Sequence, residues 1–158
     1  MLVSFILDQL TKIWASTYLS ASPPLIFLGN SFRLQYSRNS GSLLGLGAQI
    51  PEQARFWAFT VFVGIVLAGL LIYLFYEKDL SRTAVAALAL ILGGGFSNLF
   101  SRILDNGSVV DFMNMGIGNL RTGIFNFADV AIFAGLGLLL FILVTRKDEV
   151  KSESSTLD

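Results

Sequence analysis

The sequence predicts an all-α integral membrane protein of four transmembrane helices, with a little β structure outside the membrane between the first helix and the second. Three observations carry this. Of the 158 residues 54% are hydrophobic and 14% charged, and the mean hydropathy is +0.68, too apolar for a water-soluble domain of this length. Uncharged apolar runs recur at the length that crosses a bilayer, about 20 residues at a rise of about 1.5 Å each. The longest connection between these runs instead alternates apolar and polar side chains.

Residues 1–18 are apolar except for Asp8, Gln9, Thr11 and Lys12, and form a first span that is short ahead of its first carboxylate. A cleaved signal peptide would place basic residues before an apolar core and small residues at a cleavage site. Here the charges fall inside the apolar stretch, so the segment is expected to stay in the membrane. Residues 22–53 form the external connection. Pro23-Pro24 and Gly29-Asn30 punctuate it, and Phe32, Leu34 and Tyr36 alternate with Arg33, Gln35 and Ser37, the period of a strand. Residues 56–76 carry no charge and make the second span. Residues 83–100 make the third, in which Gly93-Gly94-Gly95 permits close approach of a neighbouring helix. Residues 123–145 make the fourth, with Asp129 as its one charge. The remainder, 147–158, is polar, Ser-rich and without apolar periodicity, and is expected to be a disordered cytoplasmic tail on a single transmembrane domain of residues 1–146.

Four spans place both termini on one side. Lys78 and Arg82 in the second connection, with Arg146, Lys147 and Lys151 after the fourth span, put five of the eleven basic residues into two short segments, which marks that side as cytoplasmic. There is no Cys and no His, which removes thiolate nucleophiles, zinc–histidine sites and every Ser-His or Cys-His arrangement. Net charge is zero and no basic run exceeds Arg146-Lys147, so nothing offers nucleic acid an electrostatic footprint. Chemistry is left to carboxylates, hydroxyls, amides, Lys and Arg.

A charge at the centre of a membrane helix costs about 2.5–3.5 kcal/mol on insertion scales, so each one needs a reason. Asp8 and Lys12, four residues apart with the acid first, can neutralise each other on one helix face. Asp129 has no basic residue a turn away, but Asn126 at i−3 offers an amide to hold it. Asp111 sits within the apolar run Val109-Val110-Asp111-Phe112-Met113, where dehydration raises a carboxyl pKa. If the chain folds back to bring Asp111 to Asp129, the pair can share one proton. One carboxylate then activates water while the other polarises a scissile carbonyl. The blander possibilities are that Asp111 caps a turn and that Asp129 hydrates a helix end. A Ser-Lys peptidase is disfavoured, because Asp8 keeps Lys12 charged.

Five blocks resemble, in order and spacing, the motifs of the lipoprotein signal peptidase (signal peptidase II) family. They are Asp8-Gln9-Leu10-Thr11-Lys12, Tyr36-Ser37-Arg38-Asn39-Ser40-Gly41, Gly94-Gly95-Phe96-Ser97-Asn98-Leu99-Phe100-Ser101-Arg102, Gly107-Ser108-Val109-Val110-Asp111-Phe112 and Phe125-Asn126-Phe127-Ala128-Asp129. The resemblance implies a multi-pass aspartyl endopeptidase of the bacterial inner membrane, with four helices and a small external β-cradle between helices 1 and 2. It implies cleavage of diacylglyceryl-modified prolipoproteins before the lipidated cysteine, at an active site toward the periplasmic face. It implies Asp111 and Asp129 as the catalytic dyad, with Asn39, Gly41, Asn98, Arg102 and Asn126 around the site and Asp8 and Lys12 as the first-helix block. No metal or organic cofactor is implied. The expected partners are lipidated prolipoproteins and membrane lipids, with the protein a monomer.

Three departures from the family pattern stand out. Ser101 precedes Arg102 where an acid is usual, the first helix has few residues ahead of Asp8, and Ser42-Leu43-Leu44 follows Gly41 where small residues and then an aromatic are usual. They keep a catalytically inactive lipoprotein-binding relative as the alternative reading. A small proton or cation transporter subunit using Asp8, Asp111 and Asp129 stands behind that, disfavoured because the second and third spans hold no carboxylate.

Overall fold

The computed structural model describes residues 1–41 and 51–155, so the departure at Ser42-Leu43-Leu44 lies outside the described residues. Helix α1, Leu2–Tyr18, leads into strands β1, Leu25–Phe27, and β2, Phe32–Asn39. A continuous helical rod follows as α2, Glu52–Phe56, a π-helical stretch Trp57–Phe62, and α3, Val63–Tyr76. Helix α4, Arg82–Leu104, is joined to α5, Phe127–Ser155, through strands β3, Val109–Ile117, and β4, Leu120–Arg121.

Three helical stretches among the described residues are long and apolar enough to cross a bilayer: Gln53–Tyr76, Arg82–Leu104 and Phe127–Thr145. At 17 residues, α1 reaches about 25 Å and falls short of that criterion. The helices present large apolar side chains outward, among them Ile65, Phe75, Phe133 and Leu143, each about two-thirds exposed or more. Water would penalise such a surface and hydrocarbon does not.

Helix α4 is the centre, half buried along its apolar window where the other two are 11% and 17% buried. Its Gly93-Gly94-Gly95 run explains how. Successive helical residues point about 100° apart, so three glycines in a row face three neighbours. A Cβ on Gly93 would strike Ser4 and the backbone of Met1 on α1, one on Gly94 the backbone of Ala128 on α5, and one on Gly95 the side chain of Leu67 on α3. The sequence led us to expect one close helix, and the run serves three.

The strand expected at Phe32, Leu34 and Tyr36 forms, but the sheet is not confined to the first connection. Its order is β1-β2-β3-β4, all antiparallel, and β2 pairs with β3 from between α4 and α5, with Ser37 opposite Asp111 and Asn39 opposite Val109. A lone hairpin is marginal in water, whereas further strands and an apolar face to bury make a stable layer. That face is Phe32, Leu34, Tyr36, Val110 and Phe125 packed on Phe112, Met113, Ala15 and Leu19. The sheet thus sits on the end of α1, and Asp111 lies in a strand rather than capping a turn.

Helix α5 also differs from expectation at both ends. It begins at Phe127, leaving residues 123–126 outside the helix. At its other end it runs to Ser155 where a disordered tail was expected. A nucleated helix extends at one hydrogen bond per residue, and the Arg, Lys and Glu of this segment are good helix formers.

Candidate active site

The site is built around the start of α5. Asn126 is the residue before the first turn, and its Oδ1 accepts from the backbone N–H of Asp129 at 3.0 Å. In return Asp129 Oδ2 accepts from the backbone N–H of Asn126 at 3.0 Å. This reciprocal capping satisfies two otherwise orphaned helix donors and fixes the carboxylate at the positive end of the helix. The second oxygen of Asp129 accepts from Asn98 Nδ2 on α4 at 3.0 Å.

Asn126 reaches the other aspartate as well, its Nδ2 donating to Asp111 Oδ1 at 2.7 Å. Asp111 Oδ2 accepts from Asn39 Nδ2, at the end of β2, at 2.9 Å. The amide of Asn39 is itself held the right way round, because its Oδ1 accepts from the N–H of Gly41 at 3.0 Å. Gly41 takes φ +96°, and a Cβ there would run into the ring of Phe59. One residue, Asn126, therefore ties the two aspartates together, one through its side chain and the other through its backbone. Asp111 is 2% exposed. Burial pushes its carboxyl up to about 6 and the charge of Asp129 adds to the rise, while hydrogen bonds from Asn39 and Asn126 oppose it.

Beneath the pair lies a buried polar cluster. Lys12 Nζ is 2.6 Å from Asp8 Oδ2, as the four-residue spacing predicts. It also donates to Asn98 Oδ1 at 2.7 Å and to Ser101 Oγ at 3.2 Å. Asp8 accepts from Ser97 Oγ at 2.7 Å and, through Oδ1, from the backbone N–H of Ala128 at 2.9 Å. Its carboxylate is thus a second cap on α5, delivered from α1. This use of Asp8 is structural, and it leaves no relay of three free acids.

Gln9 and Ser97, which stand in the sequence blocks but were given no role there, belong here. Gln9 Nε2 donates to Ser97 Oγ at 2.8 Å and Ser101 Oγ at 3.0 Å, crosslinking α1 and α4. The signal was available, since Ser97 and Ser101 stand one turn apart on one face of α4. Arg102, one residue on, points elsewhere. It is close enough to feel both Asp111 and Asp129, and its Nε is buried with no hydrogen-bond partner among the described residues. Position 101, where an acid is usual, faces Lys12 and Gln9.

Residues 1–145 match the family profile described as signal peptidase (SPase) II. The chain belongs to the signal peptidase II family. Members of this family are aspartic peptidases. Similar curated proteins include the lipoprotein signal peptidase of Halalkalibacterium halodurans, 32% identical over 154 residues and covering 98% of this chain and 95% of that one. That of Bacillus pumilus is 35% identical over 156 residues, covering 98% and 95%. That of Sphingopyxis alaskensis is 38% identical over 140 residues, covering 87% and 79%. A bacterial membrane enzyme solved at 2.3 Å resolution shares the fold, with a TM-score of 0.79 at 24% identity over 93% of this chain and 86% of the other. Within this signal peptidase II chain, the five sequence blocks that carry the resemblance meet in space at the start of α5: Asp8 and Lys12 from α1, Asn39 from β2, Asn98 from α4, Asp111 from β3 and Asn126 and Asp129 from α5.

Proposed function

We propose that this chain is a membrane endopeptidase that removes signal peptides from diacylglyceryl-modified prolipoproteins, cutting before the lipidated cysteine, with Asp111 and Asp129 as its catalytic pair. The observation that carries this is the hold of Asn126 on both carboxylates at once, together with the raised Asp111 carboxyl. Two acids so placed hold one proton between them. Asp129, at the positive end of α5, is the better seat for the negative charge, and Asp111 for the proton. The ionised Asp129 then takes a proton from water as that water attacks the scissile carbonyl, while Asp111 donates its proton to the carbonyl oxygen. Arg102, near both groups and with an uncommitted Nε, orients the substrate backbone. Asn39 and Gly41 hold Asp111 in its strand, and Asn98 holds Asp129.

The same reading makes α1 a fourth membrane span and places the sheet and the aspartates at the external face of the bacterial inner membrane. Both termini are then cytoplasmic, in keeping with Lys78, Arg82, Arg146 and Lys147 on the opposite side. The protein acts as a monomer. A site at membrane level gains about 0.8 kcal/mol for each acyl methylene it buries, so lipidation is expected to be required for cleavage. Purified protein in detergent should process diacylglyceryl-modified prolipoprotein and leave the unmodified precursor intact. Equal cleavage of the two would contradict the proposal.

A further inference from the structure

The end of the sheet far from Asp111 carries features that peptide cleavage does not use. The turn ahead of β2 and the β3–β4 hairpin lie side by side there, with Phe32 opposite Met115 and Gly116 N–H donating to Ser31 O at 2.9 Å. Their tips expose Leu28 at 81%, Ile117 at 82% and Leu120 at 85%. All three residues of the edge strand β1, Leu25, Ile26 and Phe27, are exposed beside them. Such an apolar rim on a small sheet is costly in water and an aggregation hazard.

Two arginines flank this rim and converge on one residue. Arg33 Nε donates to Asn30 Oδ1 at 2.6 Å, and Arg121 Nη1 donates to Asn30 O at 2.8 Å. The positive charge of Arg33 bears on the Arg121 guanidinium. The ion pairs among the described residues are Lys12 with Asp8 and Arg38 with Asp105, so neither of these arginines has a carboxylate. Nor does the sequence supply one nearby, for there is no Asp or Glu between Lys12 and Glu52 or between Asp111 and Asp129. Among the described residues both donate to neutral oxygens, Arg121 also to the side chain and carbonyl of Asn114, so their two positive charges are left without an anion.

The level of the sheet says which anion. It packs on Ala15 and Leu19 at the end of α1, where Trp14 and Tyr18 stack at 6.1 Å, 40% and 64% exposed, and Trp14 also touches Phe112 of β3. Exposed Trp and Tyr at the end of a membrane helix mark the headgroup level. We propose that this end of the sheet seats in the lipid interface, Leu28, Ile117 and Leu120 entering the acyl boundary while Arg33 and Arg121 together clasp a phospholipid phosphate. The inference rests on the reading that the helices span a membrane. The clasp anchors the sheet that carries Asn39 and Asp111 at the depth where a lipidated substrate presents its scissile bond.

The absence of cysteine permits a direct test, because Leu120→Cys takes a single nitroxide and its side chain touches little that folding needs. In vesicles of phosphatidylcholine with phosphatidylglycerol, the label should collide preferentially with oxygen rather than with a water-soluble nickel chelate. A label at Ile65→Cys, exposed at the middle of the Gln53–Tyr76 stretch, reports separately on the spanning reading. If Ile65 meets oxygen and Leu120 meets nickel, the helices span and the sheet is not in the interface, which overturns the inference alone. If both meet nickel, the spanning reading itself fails and the inference falls with it. Replacing Arg33 and Arg121 together by Gln should move the Leu120 label toward the nickel chelate in these vesicles, and should leave cleavage in detergent unchanged. An unmoved label would overturn the phosphate clasp. Shielding of the label that appears only on adding prolipoprotein would make the substrate the occupant, also against the proposal.

Discussion

Asn39 and Asn126 each present an amide N–H to Asp111, at 2.9 and 2.7 Å, and so oppose the burial that carries this carboxyl up to about 6. A pair that works by sharing a proton loses it as pH rises through that titration, so log(kcat/KM) should fall above about pH 6 in the free protein. Removing the Asn39 donor disfavours the ionised form. Asn39→Ala should therefore move this limb to higher pH as well as slowing cleavage, and a limb that stayed or moved down would contradict the geometry. Lys12 offers a test of the buried cluster. Its loss strands the Asp8 carboxylate, 0% exposed, and breaking one partner out of a buried pair costs about 3–5 kcal/mol. Thermal unfolding in micelles should show Lys12→Met much less stable than the wild type and the double variant Asp8→Asn, Lys12→Met partly restored. A Lys12→Met protein as stable as the wild type would contradict the pairing. At this scale the sequence was informative where partners are a turn apart, as for Asp8 with Lys12 and Asn126 with Asp129. It was silent on Asp8 reaching Ala128, because a contact across 120 positions leaves no periodicity.

Helices and strands show the same division. The apolar runs marked three helices to within a few residues over most of their length, since burial in lipid needs length and apolarity and both are written locally. The start of α5 was misjudged because Gly123-Ile124-Phe125 continues the apolar run of the helix, and only the capping by Asn126 ends the non-helical segment. Strand β3 read as an apolar run containing an acid; its pairing with β2, some seventy positions away, is a tertiary fact. The glycine run of α4 was visible, but its three neighbours were not. Gly94 faces the backbone of Ala128, one residue from Asp129, whereas Gly137 on α5 has open space around it. Gly94→Val should force α5 away from α4, lowering both thermal stability and cleavage. Gly137→Ala should keep full activity and gain up to about 1 kcal/mol from helix propensity. Equal behaviour of the two variants would contradict the close packing of α4 on α5.

For the whole molecule, a small sheet and a set of apolar helices are joined at one point, where α1, α4, α5 and two strands each contribute a polar side chain to one largely buried cluster. Folding is thereby linked to assembly of the site, since α5 is capped by a residue of α1 and Asp111 is held by residues of β2 and α5. The proposed activity requires Asp111 and Asp129 to act as one unit. The direct measurement is conversion of lipidated prolipoprotein by wild type, Asp111→Asn, Asp129→Asn and the double variant, at matched concentrations of folded protein. Asn keeps the size of Asp and takes away the proton-transfer function, so each single change should lower the rate by about 10²–10⁴-fold, and the double change should be little worse than either. Either single variant keeping more than about a tenth of the wild-type rate, or losses that multiply in the double variant, would contradict the dyad.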